Sequence, residues 1–154
     1  MIRYAQLITL LVAVSLFFAC KSGPKFSDVQ DRDWYLVEVR ISPEGITFDR
    51  NKLVEEDFSD IFSLRFDVER VNGIGAPNRY FAPYTLGAKQ EIAIKTVATT
   101  LMVPLREPEK LKEHDFFAYL QNTGAWNLAG GNLELHSKGE NGAEVVLVFV
   151  PAGK

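Results

Sequence analysis

Asn78, Arg79 and Tyr80 stand together directly after Gly73, Gly75 and Pro77, inside the stretch VNGIGAPNRYFAPY from Val71 to Tyr84. An amide, a guanidinium and a phenol at one bend could grip a carboxylate or phosphate, the guanidinium through two parallel hydrogen bonds. The same residues also have a structural use. Asn78 could satisfy backbone left open by Gly75 and Pro77 while Tyr80 packs inward, because buried polar groups require partners.

His114 and His136 are the only histidines and so the only side chains that ordinarily titrate near neutrality. Glu113 and Asp115 flank His114, but consecutive helical residues point in different directions, so the three read as a solvated helix side and not as a dyad. His136 has no predictable partner, and two histidines without cysteines nearby make a poor zinc set. The acidic residues Glu55, Glu56, Asp57 and Asp60 lie in a segment, Asp49 to Asp60, without the glycine turn of a calcium loop and read as solvated. No serine occupies a strained elbow beside a histidine and an acid, as acyl transfer requires. Carboxylates that pair only in space are not legible here. The chain is therefore expected to be no enzyme and to need no metal or cofactor, with Asn78, Arg79 and Tyr80 as its candidate binding residues.

These side chains must be positioned by strands. Trp34 to Arg40 has the two-residue period of a pleated strand, and Ile61 to Val68 has it more clearly, with Phe62, Leu64, Phe66 and Val68 on one face. Ile41 to Asp60 reads as an excursion with a short strand at Gly45 to Phe48. Gly73 and Gly75 allow backbone angles closed to other residues, and Pro77 removes a ladder donor, so the chain must bend or bulge there. Glu91 to Lys95 gives another strand. Thr96 to Val103 is either a strand or an irregular segment threading beneath the sheet.

A helix is predicted from about Pro108 to Asn122, with Pro108 in its first turn, Glu107 and Glu109 at its positive end and Gly124 as terminator. Phe116, Phe117 and Leu120 form its apolar patch. Ala125 to Ala129 and Asn132 to Ser137 flank Gly130-Gly131 as a tight hairpin, and Glu144 to Val150 reads as a strand buried on both faces. One helix among antiparallel strands gives an α+β class.

The chain has 154 residues, 47% hydrophobic and 24% charged, enough for one domain and an appendage. A formal net charge of −3 leaves no basic footprint for phosphate neutralisation, so no nucleic-acid partner is expected. A single cysteine, Cys20, precludes an intrachain disulfide.

Arg3 and the apolar run Leu7 to Phe18 form the positive and hydrophobic regions of a signal peptide, too short for a comfortable transmembrane span of about 20 residues. The run Leu16 to Ala19 leads into Cys20 and resembles the lipobox of bacterial lipoproteins, whose cysteine is lipidated and becomes the first residue. A plain secretory signal and an uncleaved N-terminal anchor are the alternatives. Acyl chains, at roughly 0.8 kcal/mol per buried methylene, would hold the protein on a membrane. Residues 1–19 are thus a signal peptide, 20–32 a lipidated N-terminus and tether, the stretch Lys21 to Gln30 being flexible, and 33–150 the domain. Lys21, in place of an inner-membrane retention aspartate, implies by resemblance the outer membrane, facing the periplasm.

Four features converge on one family: Trp34 and Leu36 at the opening, the central GIGAPNRYFAPYTLG, ATTLM at Ala98 to Met102, and EHDFFAYL at Glu113 to Leu120 followed by a Gly-Gly hairpin and a valine-rich last strand. Together they resemble the META domain of HslJ-type bacterial envelope lipoproteins, over about Asp33 to Phe149. The resemblance implies a compact, barrel-like antiparallel sheet with one packed helix, and links to heat response, antibiotic tolerance and virulence without a list of catalytic residues. Family members often carry cysteines where this chain has Pro77 and Val103 or Pro104, so any thiol role of those positions is absent. The expected function is a non-catalytic envelope lipoprotein that binds a protein, peptide or cell-wall component and supports envelope integrity or stress response. The alternative is a small-ligand binder or weak hydrolase with its site beside Asn78, Arg79 and Tyr80.

Overall fold

Alternating apolar residues on short strands close the chain into a barrel. The computed structural model describes residues 23–104 and 106–153; the signal peptide and Cys20 lie outside the described residues. Strand β1 (Trp34–Ile41) turns Trp34, Leu36 and Val39 inward. Its register against the last strand shifts between Leu36 and Glu38, so a bulge at Val37 resets the alternation and sends Val39, not Glu38, into the core.

The remaining strands are β2 (Ile46–Thr47), β3 (Ser63–Phe66), β4 (Arg70–Ile74), β5 (Arg79–Leu86), β6 (Ile92–Ile94), β7 (Ala98–Thr99), β8 (Ala125–Ala129), β9 (Asn132–Lys138) and β10 (Glu144–Pro151). They are arranged β6-β5-β4-β3-β1-β10-β9-β8, with β2 beside β1 and β7 beside β5. All pairings are antiparallel. A bridge between Glu91 and Ala125, with Trp126 N–H donating to the Gln90 carbonyl at 2.9 Å, joins the first strand of that order to the last. This nearly closed antiparallel barrel, with one main helix and a few short ones, is the α+β architecture the sequence predicts.

The helix closes one end. α2 (Glu113–Gln121) buries Phe116 and Leu120 fully, and Phe116 meets Phe62 with ring centroids 5.1 Å apart. It is shorter than the predicted span from Pro108. Lys112 is its N-cap, so Glu113 and Asp115, not Glu107 and Glu109, occupy its first turn, and Glu107 instead pairs with Lys112 at 2.6 Å.

Phe26 plugs the opposite end. It sits on a 3-10 turn, Phe26–Asp28, with its ring 5.2 Å from Phe66, 5.4 Å from Tyr84 and 5.1 Å from Trp126. Val29 is completely buried, and its carbonyl accepts from the Trp34 indole at 3.0 Å. The second half of the segment expected to be a flexible tether is thus part of the core, because two apolar residues among its polar ones have a cavity to fill.

Three other expectations are corrected. Val68 is 83% exposed, since β3 stops at Phe66 and Asp67 turns the chain by accepting from the Glu69 and Arg70 N–H groups at 2.9 and 2.7 Å. Of the two alternatives for the stretch from Thr96, the strand holds at β7, which covers part of the β5 edge, while the rest runs over the surface and not beneath the sheet, with Leu101 and Val103 97% and 89% exposed. The excursion before β3 holds a helix, α1 (Arg50–Glu55), which Asp49 caps through the Asn51 and Lys52 N–H groups and Leu53 anchors.

β10 is buried on both faces, as its run of valines predicts. Val145, Leu147 and Phe149 enter the core. On the outer face Val148 lies between Glu38 and Glu134, and Val146 between Arg40 and His136. Arg40 joins Glu38 and Glu134 at 2.9 and 2.7 Å, so charged side chains with apolar stems cover these valines in place of a second layer.

Candidate functional site

The bend between β4 and β5 has few ways to satisfy its backbone. Gly75 N–H donates to the Asn78 carbonyl at 2.7 Å, and the Gly75 carbonyl accepts from Phe62 N–H at 3.0 Å. Pro77, joined to Ala76 by a cis peptide, has no N–H. That leaves the N–H groups of Ala76 and Asn78, and both donate to one carboxylate oxygen, Glu113 Oε1, at 2.5 and 2.7 Å. Glu113 Oε2 accepts from Asn78 Nδ2 at 2.7 Å. The first residue of α2 therefore clamps the bend through three charge-assisted hydrogen bonds.

Asn78 passes the clamp onward. Its Oδ1 accepts from Met102 N–H at 2.7 Å and from Thr100 Oγ1 at 2.8 Å, and its Nδ2 also donates to the Met102 carbonyl at 3.4 Å. Asn78 is 7% exposed, with both ends of its amide engaged within the protein. Tyr80 is equally committed: it is 3% exposed and donates its hydroxyl to the Ser63 carbonyl at 2.9 Å. Burial pushes its phenol well above the usual range, so it remains a donor. Asn78 and Tyr80 thus take the structural use that the sequence allows.

Arg79 does not. Its backbone is tied to Thr100, just after β7, the N–H donating to Thr100 Oγ1 at 3.2 Å and the carbonyl accepting from Thr100 N–H at 3.0 Å. Its side chain is exposed and lies on a groove of about 600 Å³ across the outer face of β3, β4 and β5, making no ion pair among the described residues. Arg70 shares that groove with its guanidinium carbon 5.6 Å from the Phe81 ring centroid. Arg65, also lining it, reaches Asp31 and Asp33 at 3.7 and 3.5 Å. At the β1 side Tyr35 lies under Arg50, which stacks at 4.9 Å and holds the Ser59 and Ile61 carbonyls at 2.5 and 3.1 Å. Burial lowers the pKa of that guanidinium.

The central glycines serve space and not dihedral freedom. Neither Gly73 nor Gly75 has a positive φ, contrary to the sequence expectation. A Cβ on Gly75 would lie 2.5 Å from Glu113 Oε1 and 2.6 Å from Phe117 Cζ, and one on Gly73 would collide with the Ser63 carbonyl. The positive φ values fall instead at turns such as Gly130 and Gly131, at 60° and 85°.

Glu113 is the residue that sequence reasoning missed. Read with His114 and Asp115 it looks like one side of a solvated helix, and only the bend 35 residues earlier shows where its carboxylate goes. His114 does lie on the surface, 2.8 Å from Asp115. His136 is 3.9 Å from Glu134 on the outer face of β9. Of the acidic residues at and after the end of α1, Glu55, Asp57 and Asp60 are exposed and Glu56 is half-buried, and no group of three or more His, Cys, Asp or Glu side chains able to hold a metal occurs among the described residues. Ser63 Oγ, in the groove, accepts from Ile74 N–H at 3.2 Å, and no histidine lines the groove among the described residues.

The META domain family model matches residues 27–152. Its start falls beside Phe26 and Val29, where the chain enters the core. Among solved structures, the NMR structure of a protein from Burkholderia xenovorans is similar with a TM-score of 0.59 at 15% identity, covering 100% of each chain. The crystal structure of a DUF4847-family protein from Bacteroides vulgatus is similar with a TM-score of 0.53 at 14% identity, over 81% of this chain and 95% of that one. At such identities the likeness is one of fold. No curated protein matches the chain in sequence.

Proposed function

Because the chain belongs to the META domain family, we propose that it is a non-catalytic binding domain, held at a bacterial envelope by a lipid on Cys20 and contributing to envelope integrity or stress response. The observation that carries the binding reading is the division of labour at the central bend. Asn78 and Tyr80 are consumed by the Glu113 clamp and the core, while Arg79 alone is offered to an open groove. The clamp gives that bend a structural purpose, and the groove gives it an outlet towards a protein, peptide or cell-wall component.

The reading of a small-ligand site beside Arg79 gains from the same groove, which is large enough for part of a chain or a compact molecule. A hydrolytic version gains nothing, since Ser63 Oγ is engaged by the Ile74 N–H and no histidine lines the groove among the described residues. The lipoprotein reading draws on the lipobox-like run before Cys20, and the outer membrane on Lys21.

Two measurements in cells test this. Radiolabelled palmitate should enter the protein and the protein should sediment with membranes; Cys20→Ser should abolish both, and continued membrane association of that variant would overturn the lipid anchor. A photoreactive side chain at position 79 should capture a discrete envelope component that one at position 138, on β9, does not. Indistinguishable products from the two positions would count against a binding role for the groove.

A further inference from the structure

The groove has a chemistry that identifies its ligand class. In the ladder, Arg65 stands opposite Asn72 and Asn72 opposite Phe81, while Ile74 stands opposite Arg79 and Arg70 opposite Pro83. Positions 79 and 81 lie two residues apart on one strand and share the outer face. Phe81 therefore lies between two guanidiniums, Arg79 beside it on β5 and Arg70 diagonally across on β4, along a strip of roughly 13 Å.

Phe81 is 47% exposed although its strand neighbours Tyr80 and Ala82 are buried, so one ring stands in solvent between two cations. Arg70 already leans over that ring at 5.6 Å, which limits its freedom before any ligand arrives. The acids of the groove, Asp33 and Asp60, belong to its β1 and β3 side, and Asp33 is engaged with Arg65 at 3.5 Å. In a chain of net charge −3, the strip formed by Arg79, Phe81 and Arg70 is thus a local cationic surface with an aromatic floor.

We propose that this strip binds a ligand bearing a carboxylate or phosphate next to a ring or sugar face. Arg79 and Arg70 hold the anion by forked hydrogen bonds, Phe81 stacks the flat portion, and the Asn72 amide, half-buried at the floor, hydrogen-bonds its polar edge. Lysine at either arginine position would supply charge without the fork. The inference rests on the binding reading above and is independent of the lipid anchor.

The test uses the full chain in neutral detergent, titrated by NMR with phenyl phosphate, benzoate, inorganic phosphate and phenol as probes. Phenyl phosphate or benzoate should saturate in the millimolar range, shifting signals of Arg79 and Phe81, and should weaken as salt is raised. Arg79→Gln and Arg70→Gln should each weaken binding by about tenfold, the equivalent of one lost charged contact. Arg106→Gln, outside the groove, should leave it unchanged. Equal binding of phenyl phosphate and benzoate would show that the strip reads charge and ring alone, and a preference for one assigns the source as phosphate or carboxylate. The proposal fails if neither probe saturates, if phenol binds as tightly, or if the two arginine variants, still folded by their melting curves, bind as the parent does. Failure here with intact capture at position 79 overturns the ligand class alone; loss of both overturns the binding reading.

Discussion

Glu113 and Asn78 form the smallest unit that explains the central motif. A charged acceptor takes two backbone donors and one side-chain donor, and the amide it holds takes two more donors in turn. Removing either partner leaves part-buried polar groups without their protein partner, which costs more than a hydrogen bond normally contributes. Asn78→Ala should therefore destabilise by roughly 2–3 kcal/mol, lowering Tm on the order of 10 °C. Glu113→Ala should match it, and Glu113→Gln, which keeps an acceptor for the two backbone donors, should cost less. Equal melting temperatures for the parent and Asn78→Ala by calorimetry would remove the clamp from the account.

At the scale of elements, the same clamp joins three pieces that are distant in sequence: the β4–β5 bend, the segment after β7 and the start of α2. Met102 is held by its backbone while Leu101 and Val103 stand in solvent, so that segment owes its path to hydrogen bonds with Asn78 and the Arg79 backbone and not to side-chain burial. At the other end of the barrel the 3-10 turn is kept by the burial of Phe26 and Val29, together with the bond from the Trp34 indole to the Val29 carbonyl and one from Asp31 N–H to the Phe66 carbonyl at 2.9 Å. Phe26→Ala should accordingly cost roughly 2 kcal/mol, seen as a lower urea midpoint at an unchanged slope. A midpoint within error of the parent would mean that the turn detaches without consequence and that the domain begins at β1.

The whole molecule carries its pH response in turns and core. Desolvation opposes ionisation of the Asp67 carboxyl, yet the Glu69 and Arg70 N–H groups outweigh it and hold its pKa below the usual value. A depressed folded pKa gives stability that is complete above the unfolded value of about 3.9 and lost as pH falls through the folded one. Burial raises Tyr80, and to a lesser degree Tyr84 and Tyr119, above their ordinary values. A raised folded pKa gives the opposite limb, complete below about 10 and lost as pH rises through the folded value. Tm plotted against pH should therefore fall at both extremes, with Asp67→Asn flattening the acid limb and Tyr80→Phe the alkaline one. Limbs unaltered by either substitution would assign the pH response to other groups.

Much of this was open to reading from residue order. The alternation in β1 and β3, the Gly130-Gly131 hairpin, the valine-rich β10 and the apolar patch Phe116, Phe117 and Leu120 are local patterns, and the forces behind them act over a few residues. The motif order across the chain was enough to place it in its family, because a pattern of several motifs needs no coordinates. Boundaries were less legible. The strand expected to carry Val68 ends early because the aspartate just before that residue turns the backbone, and α2 begins only after its N-cap Lys112.

What only the tertiary structure decided is the fate of polar side chains. Nothing local distinguishes Glu113 from Asp115, or Asn78 from Arg79, since a carboxylate or an amide takes its role from whichever donors the fold brings within about 3 Å. The sequence by itself determined the class of fold and the place where the chain must bend. The packing of α2 against that bend decided that Asn78 and Tyr80 hold the structure and that Arg79 is left to face the groove.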